Sequence, residues 1–186
     1  MSRLPLTAPD ELDGYLRELH ESVPDEDWSS RHVARAFAPA PELLEMYLTR
    51  FYYPWHTSSG DAEPFARLSA RQKELVRLRI ATLNGCRTCK AARLAVDSVD
   101  EAEAIGIDGY EGSDAYSPAE KAAVAFAERL ALEHHDIDDR DIAALREHFD
   151  DAQILELMMM AGQYIGFGRM LAVLSLETTA CPLPRS

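Results

Sequence analysis

Residues 157–176 are apolar at almost every position, and any fold this chain adopts has to house them. The run is about as long as the roughly 20 residues that span a bilayer as a helix. It also carries Gln163 and Arg169, together with Gly162, Gly166 and Gly168. A mid-bilayer arginine is costly, so the run reads as a helix covered by protein, either at the centre of a core or at a subunit interface. The remaining composition fits that reading. Hydrophobic residues make up 47% and charged residues 27% of 186 positions, ordinary for a globular chain. That length allows one well-buried domain, or a domain with a helical extension. The net charge of -13 disfavours nucleic acid and an anionic membrane face alike.

No stretch alternates with period two, and helical signals recur along the chain, so the expected class is all-α. Helices are expected at 10–21, about 30–38 and 41–53, the third with Leu43, Leu44, Tyr47, Leu48 and Phe51 at helical spacing. The segment from Tyr53-Pro54-Trp55-His56 through Gly60 to Pro64 reads as a break. It divides an N-terminal helical extension, residues 1–64, from a main domain over 65–178 and a tail over 179–186. Ser69-Ala70-Arg71-Gln72 has the form of a capping box and opens a helix that ends at Asn84-Gly85. One helix is expected from Cys86 through Ala104. Ser117-Pro118-Ala119-Glu120 is a further start signal. Residues 139–149 read as another helix, and Asp150 or Asp151 opens the apolar one.

The chemistry concentrates in Asn84-Gly85-Cys86-Arg87-Thr88-Cys89. A lone Cys-x-x-Cys is either redox chemistry or half of a metal site. No second ligand pair follows it, and Cys181 is far away in a Pro-flanked tail. On a continuous helix Cys86, Cys89 and Arg93 share one face. The helix start favours a thiolate at Cys86, and a cation at Arg93 favours one at Cys89. Such a pair can divide into attacking and resolving thiols, and at this spacing it can close an intramolecular disulfide. Glu74 is the nearest carboxylate, returned beside the dithiol if the chain folds back at Asn84-Gly85. Blander readings exist for each part. The cysteines can be small buried hydrophobes, Glu74 a helix charge paired with Arg71 or Arg77, and Arg93 a surface cation. His134 and His135 complement a helix end, Met158, Met159 and Met160 fill a core or interface, and Trp55 and His56 anchor a loop or line a pocket mouth.

Residues 74–89, a glutamate followed after eleven residues by Cys-x-x-Cys, resemble the carboxymuconolactone decarboxylase superfamily, in its alkyl hydroperoxidase D-like branch. Ser117 to Ala122 and the helix over 150–176, with Phe167-Gly168-Arg169-Met170, add to the likeness. It covers approximately residues 65–177. The resemblance implies an all-α alkyl hydroperoxidase D-like domain in which Cys89 attacks a peroxide, Cys86 resolves, and Glu74 belongs to a proton relay. The histidine expected four residues after the second cysteine is Arg93 here, and an arginine stays protonated. The implied activity is a dithiol oxidoreductase of antioxidant type that reduces hydroperoxides, with a peroxide or other small oxidant and an external dithiol donor as partners. Alternatives are a drifted, lactone decarboxylase-like member that anchors an acidic small molecule on Arg93, and a redox-sensing helical binding module. No metal, flavin or nucleotide is implied. A homo-oligomer is expected, in a reducing cytoplasm, with no nucleic acid or membrane partner.

Overall fold

The computed structural model describes residues 2–56 and 66–176, and among them there is no strand. In chain order the helices are α1 (Gly14–Ser22), α2 (Trp28–Ala36), α3 (Pro41–Met46), α4 (Tyr53–His56) and α5 (Ala70–Leu83). There follow α6 (Arg87–Ala91), α7 (Glu101–Gly106), α8 (Pro118–Leu132), α9 (Asp139–Arg146) and α10 (Asp151–Leu174). A π-helical segment, Tyr47–Tyr52, joins α3 to α4 without a break. The capping boxes expected at Ser69 and Ser117 are both formed, and Asp150 caps α10 through Gln153.

α5, α8 and α10 pack on one another and hold the main core. Leu75, Leu78 and Ile80 of α5 meet Val124, Phe126 and Ala127 of α8 and Ile154, Leu157 and Met160 of α10. Each such large side chain removed from water contributes on the order of 1.5–3 kcal/mol. The long apolar run is therefore a core helix along one side. Residues buried on α10 include Leu157, Met160, Ala161, Tyr164 and Leu171. Its other side leaves Leu155, Met159, Met170 and Val173 in solvent. Met158, Met159 and Met160 split accordingly into half-buried, exposed and buried.

α5 is buried on its polar side too, and there each charge has a partner. Lys73 forms an ion pair with Glu156 at 2.9 Å, both side chains almost wholly buried, and donates to the carbonyl of Trp55. Glu156 accepts in addition from the amides of Arg67 and Leu68. One ion pair thus ties α4, the approach to α5, and α10 together.

The N-terminal helices carry a smaller core of their own: Leu12, Leu16, Leu44 and Leu48, with Tyr15, Leu19, Phe37 and Tyr47 against it. They are fastened to the main block at the C-terminal end of α10. Phe167 stacks on Tyr47 with centroids 4.1 Å apart. His32 bonds the carbonyl of Leu176 at 2.7 Å, and the Arg3 amide donates to that of Leu174.

Three expectations about helix limits are corrected. The first helix does not run over 10–21: a 3-10 turn, Pro9–Glu11, ends at buried Leu12, and α1 starts at Gly14, whose φ of +46° is a left-handed conformation that glycine permits. The third does not stop at Tyr53 but continues to His56. The wide turn sits just ahead of Pro54, which has no amide to donate, and Tyr53 bonds back five residues to Leu48. Trp55 is accordingly helical and packs against the main core. Most consequentially, the helix beginning at Cys86 ends at Ala91 rather than Ala104. Ala92 is extended, and Asp100 with Glu103 forms a fresh capping box for α7. The loop and the Pro64 break expected after His56, the tail over 179–186 and Cys181 lie outside the described residues.

Candidate redox site

The site is built at the turn between α5 and α6. Asn84 caps α5, and Gly85 adopts a φ of +61° that reverses the chain. The Cys86 amide donates back to Ala81 at 2.9 Å. Cys86 then serves as N-cap of α6, its Sγ accepting from the Cys89 amide at 3.2 Å. The two sulfurs are joined as a disulfide with Cα atoms 5.2 Å apart, the linkage that the spacing predicts.

The two cysteines are not equivalent. Cys86 is fully buried, packed with Ala36, Leu171 and Leu176. Cys89 is half-buried and lines a cavity of about 120 Å³. α10 passes close by at Gly168. A Cβ there would lie 3.7 Å from the Cys89 sulfur and only 2.7 Å from Nδ2 of Asn84. That approach needs a glycine, because real Cβ atoms do not come so near a neighbour. The Asn84 amide donates to the carbonyls of Tyr164 and Ile165 and accepts from Arg169, which also reaches the Ala131 carbonyl. Arg169, the charged residue inside the apolar run, thus ties α10 to the turn before the dithiol.

Glu74 comes to this site as expected, but completely buried and already engaged. Arg77, three residues on, grips it with two parallel bonds of 2.8 and 2.7 Å. The third arm of the same guanidinium donates to the Cys89 carbonyl at 2.5 Å. Arg93 does not share a helix face with the cysteines, because α6 ends two residues before it. It turns back to Glu74 at 3.3 Å and donates to Glu101 and to the Val99 carbonyl. Burial works against the charge on Arg77, yet the adjoining Glu74 carboxylate more than offsets this and leaves the group more basic than a free arginine.

Part of the cavity wall comes from outside the main block. Tyr47, Leu48, Tyr52 and Tyr53 of the π-helical segment and its continuation face it, as do Leu19 of α1 and Val33 of α2. Tyr47 and Tyr52 are five residues apart with ring centroids 5.5 Å from each other. In an α-helix residues five apart diverge; a wider turn brings them to one side. The hydroxyl of Tyr47 donates to Gln163 of α10. Burial raises the pKa of Tyr47, Tyr52, Tyr53 and Tyr164, so these phenols stay neutral.

Sequence reasoning therefore brought Cys86, Cys89 and Glu74 together correctly. The pairing of Glu74 with Arg77 that the blander reading allows is the one formed, buried rather than at the surface, while the places of Gly168 and the tyrosines lie outside that reading. The i, i+3 spacing of Glu74 and Arg77 was a usable signal, although it reads equally as a surface pair.

No family model matches the chain. It is 27% identical over 119 residues, 59% of this chain and 80% of the relative, to the uncharacterized protein YdfG of Bacillus subtilis (strain 168). Among solved structures it is similar to the alkylhydroperoxidase AhpD core of an uncharacterized peroxidase-related protein from Ralstonia eutropha JMP134. The TM-score is 0.75 at 19% identity, over 96% of this chain and 93% of that one. A peroxidase-related protein from Silicibacter sp. TM1040 gives a TM-score of 0.73 at 20% identity, over 96% and 91%. The all-α fold is thus of the alkyl hydroperoxidase D-like kind, and the likeness takes in the N-terminal helices as well as residues 65–177.

Proposed function

We propose that the protein is a dithiol peroxidase in which Cys89 is the attacking and Cys86 the resolving residue. The observation that carries this reading is the asymmetry of the pair: Cys89 opens onto a mostly apolar cavity, while Cys86 is fully buried behind it within bonding distance. With the pair reduced, the Cys89 thiolate attacks the distal oxygen of a hydroperoxide. The S–O bond forms as the O–O bond breaks, the alkoxide leaves and takes a proton from water, and Cys89 becomes a sulfenic acid. Cys86 then displaces hydroxide, which leaves as water once protonated, and the disulfide closes. An external dithiol restores both thiols by two exchange steps and is itself oxidised. Glu74 does not line the cavity, so its place in this scheme is to hold Arg77 and Arg93 beside the dithiol. The test is hydroperoxide consumption with a regenerating dithiol. Cys89→Ser should abolish turnover, and Cys86→Ser should leave at most one equivalent consumed. Undiminished turnover in Cys89→Ser, or none in the wild type, refutes the reading.

We also propose that the outer face of α10 is covered by a second copy of the chain. Counted outward from Tyr164, Gly162 and Gly166 lie two residues away, Met159 and Met170 five and six, and Leu155 and Val173 nine. The exposed stripe is therefore nearly symmetric in side-chain size. Under a two-fold axis, antiparallel copies meet glycine against glycine and large against large, as an isologous contact requires. Light scattering should give a dimer or a multiple of one, and Leu155→Glu should give monomer. A wild-type monomer at micromolar concentration overturns this.

A further inference from the structure

The dithiol sits against two arginines, and they are not placed alike. Arg93 lies beyond the end of α6 and spends its donors on Glu74, Glu101 and Val99. Arg77 is 4% exposed, touches the Cys89 carbonyl and lines the same cavity as the Cys89 side chain. Among the described residues lining that cavity, it is the one carrying a formal charge.

We propose that Arg77 is the cation that holds Cys89 as a thiolate in the reduced protein, with Glu74 as a counterweight that limits the effect. The inference deepens the peroxidase reading and rests on it for its purpose, but its chemistry concerns ionisation alone. Arg77 is a positioning residue: it acts on the sulfur through the local field and through the carbonyl that fixes where Cys89 sits. A buried guanidinium and a buried carboxylate largely cancel at a distance. Close in they do not, because Arg77 stands between Glu74 and Cys89, reaching the carboxylate with one edge and the Cys89 carbonyl with another arm. Arg93, bonded to the same Glu74 oxygen as Arg77, leaves the trio with a net positive charge. Glu101, its other partner, is 74% exposed and so screened by water.

The other ionisable groups on elements packed against α6 do not compete for this role. On α6 itself, Arg87 and Lys90 flank the cysteines in sequence but do not line the cavity. On α2, His32 is bonded to the Leu176 carbonyl, Arg31 to Asp25 and Val23, and Arg35 to Thr7. On α10, Arg169 is taken up by Asn84 and Ala131. Tyr47, Tyr52, Tyr53 and Tyr164 surround the cavity as neutral phenols.

The trio yields a test of sign that loosened packing cannot imitate. In a Cys86→Ser background, the rate of alkylation at Cys89 is followed against pH by mapping the modified peptide, which separates it from Cys181. Arg77→Gln keeps a hydrogen-bonding group but removes the charge, and should raise the thiol pKa, an opposite charge within about 4–6 Å being worth 1–3 units. Arg77→Lys should restore most of the wild-type profile. Glu74→Gln removes the counterweight and should move the pKa the opposite way, below wild type. No shift in Arg77→Gln, or shifts of the same sign in Arg77→Gln and Glu74→Gln, would overturn the inference. Should Arg77→Gln fail to fold, Glu74→Gln decides alone: an unchanged or raised pKa refutes it. Alkylation needs no peroxide, so opposite shifts in a protein that consumes no hydroperoxide would uphold this inference and reject the peroxidase reading.

Discussion

The α5–α8–α10 block and the N-terminal helices solve different problems with different materials. The block buries a broad apolar core and adds ion pairs that are satisfied inside it, Lys73 with Glu156 and Arg77 with Glu74. The N-terminal helices bury four residues in a small core of their own and lean on the block through aromatic contacts and terminal hydrogen bonds. The block contributes both members of the buried ion pair and Gly168, and the short α6 that follows α5 contributes both sulfurs. The N-terminal region contributes the tyrosines that enclose Cys89. Under the proposed peroxidase reading, the sulfurs and much of what encloses Cys89 come from separate parts of the chain, and the part with the smaller core supplies that enclosure. Weakly held segments are where local opening occurs most readily.

The sharpest way to break this comparison is to attack each region's own support. Lys73→Met leaves Glu156 charged and buried without its ion-pair partner, and should cost about 3–5 kcal/mol of global stability in urea unfolding. Leu44→Ala in the small core should cost about 2–5 kcal/mol where the loss is felt. Hydrogen exchange should place that loss in α1–α3 and leave α8 protected. Equal loss of protection in α8 would mean that the two regions unfold as one.

Gly168→Ala probes the block where α10 meets the dithiol. Helix propensity favours the alanine by about 1 kcal/mol, but the methyl group would press on the Asn84 amide, and overpacking of this kind costs about 1–3 kcal/mol. A small net destabilisation is expected, together with slower closure of the Cys86–Cys89 disulfide. A stabilised protein with unchanged closure would remove Gly168 from the site.

The mildest perturbation is alkali. Burial raises the pKa of Tyr47, Tyr52 and Tyr53, so the folded protein keeps protons that the unfolded chain gives up near pH 10. The unfolded state then binds fewer protons than the native one, and stability falls as pH rises. Their contribution is complete below about pH 10 and is lost progressively above it. Because these phenols lie at the seam, absorbance near 295 nm should report their ionisation together with loss of the N-terminal helices, ahead of the block. Tyr110, packed in the main core and raised to about 12, should ionise at lower pH than Tyr47 and Tyr52 while the fold is intact.

Much of this molecule is local and hence legible. Ser69, Ser117 and Asp150 each state where a helix begins, because a side chain and a backbone amide three residues apart satisfy each other regardless of what lies beyond. Gly85 likewise states where α5 must stop, and two cysteines three residues apart at that turn state that a disulfide is within reach. Arg169 in a run of apolar residues already argued for protein around it rather than lipid. The charge balance at the sulfurs was not legible in the same way. A continuous helix would place Arg93 one turn beyond Cys89, where an activating cation is expected. The helix instead ends at Ala91, where a new cap at Asp100 competes with continuation, and Arg77 takes that place from the preceding helix. Tyr47 and Tyr52 could not be put on one side of a helix from an α-helical period, since only a wider turn does so. Nor does spacing reveal that Gly168 is needed, because the atom it avoids belongs to Asn84, eighty-four positions earlier. Sequence determined the elements, their caps and the reactive pair, which depend on neighbours along the chain. Tertiary packing alone decided which sulfur faces the cavity, which arginine stands beside it and what walls it in, since those depend on groups that meet only once the helices are packed.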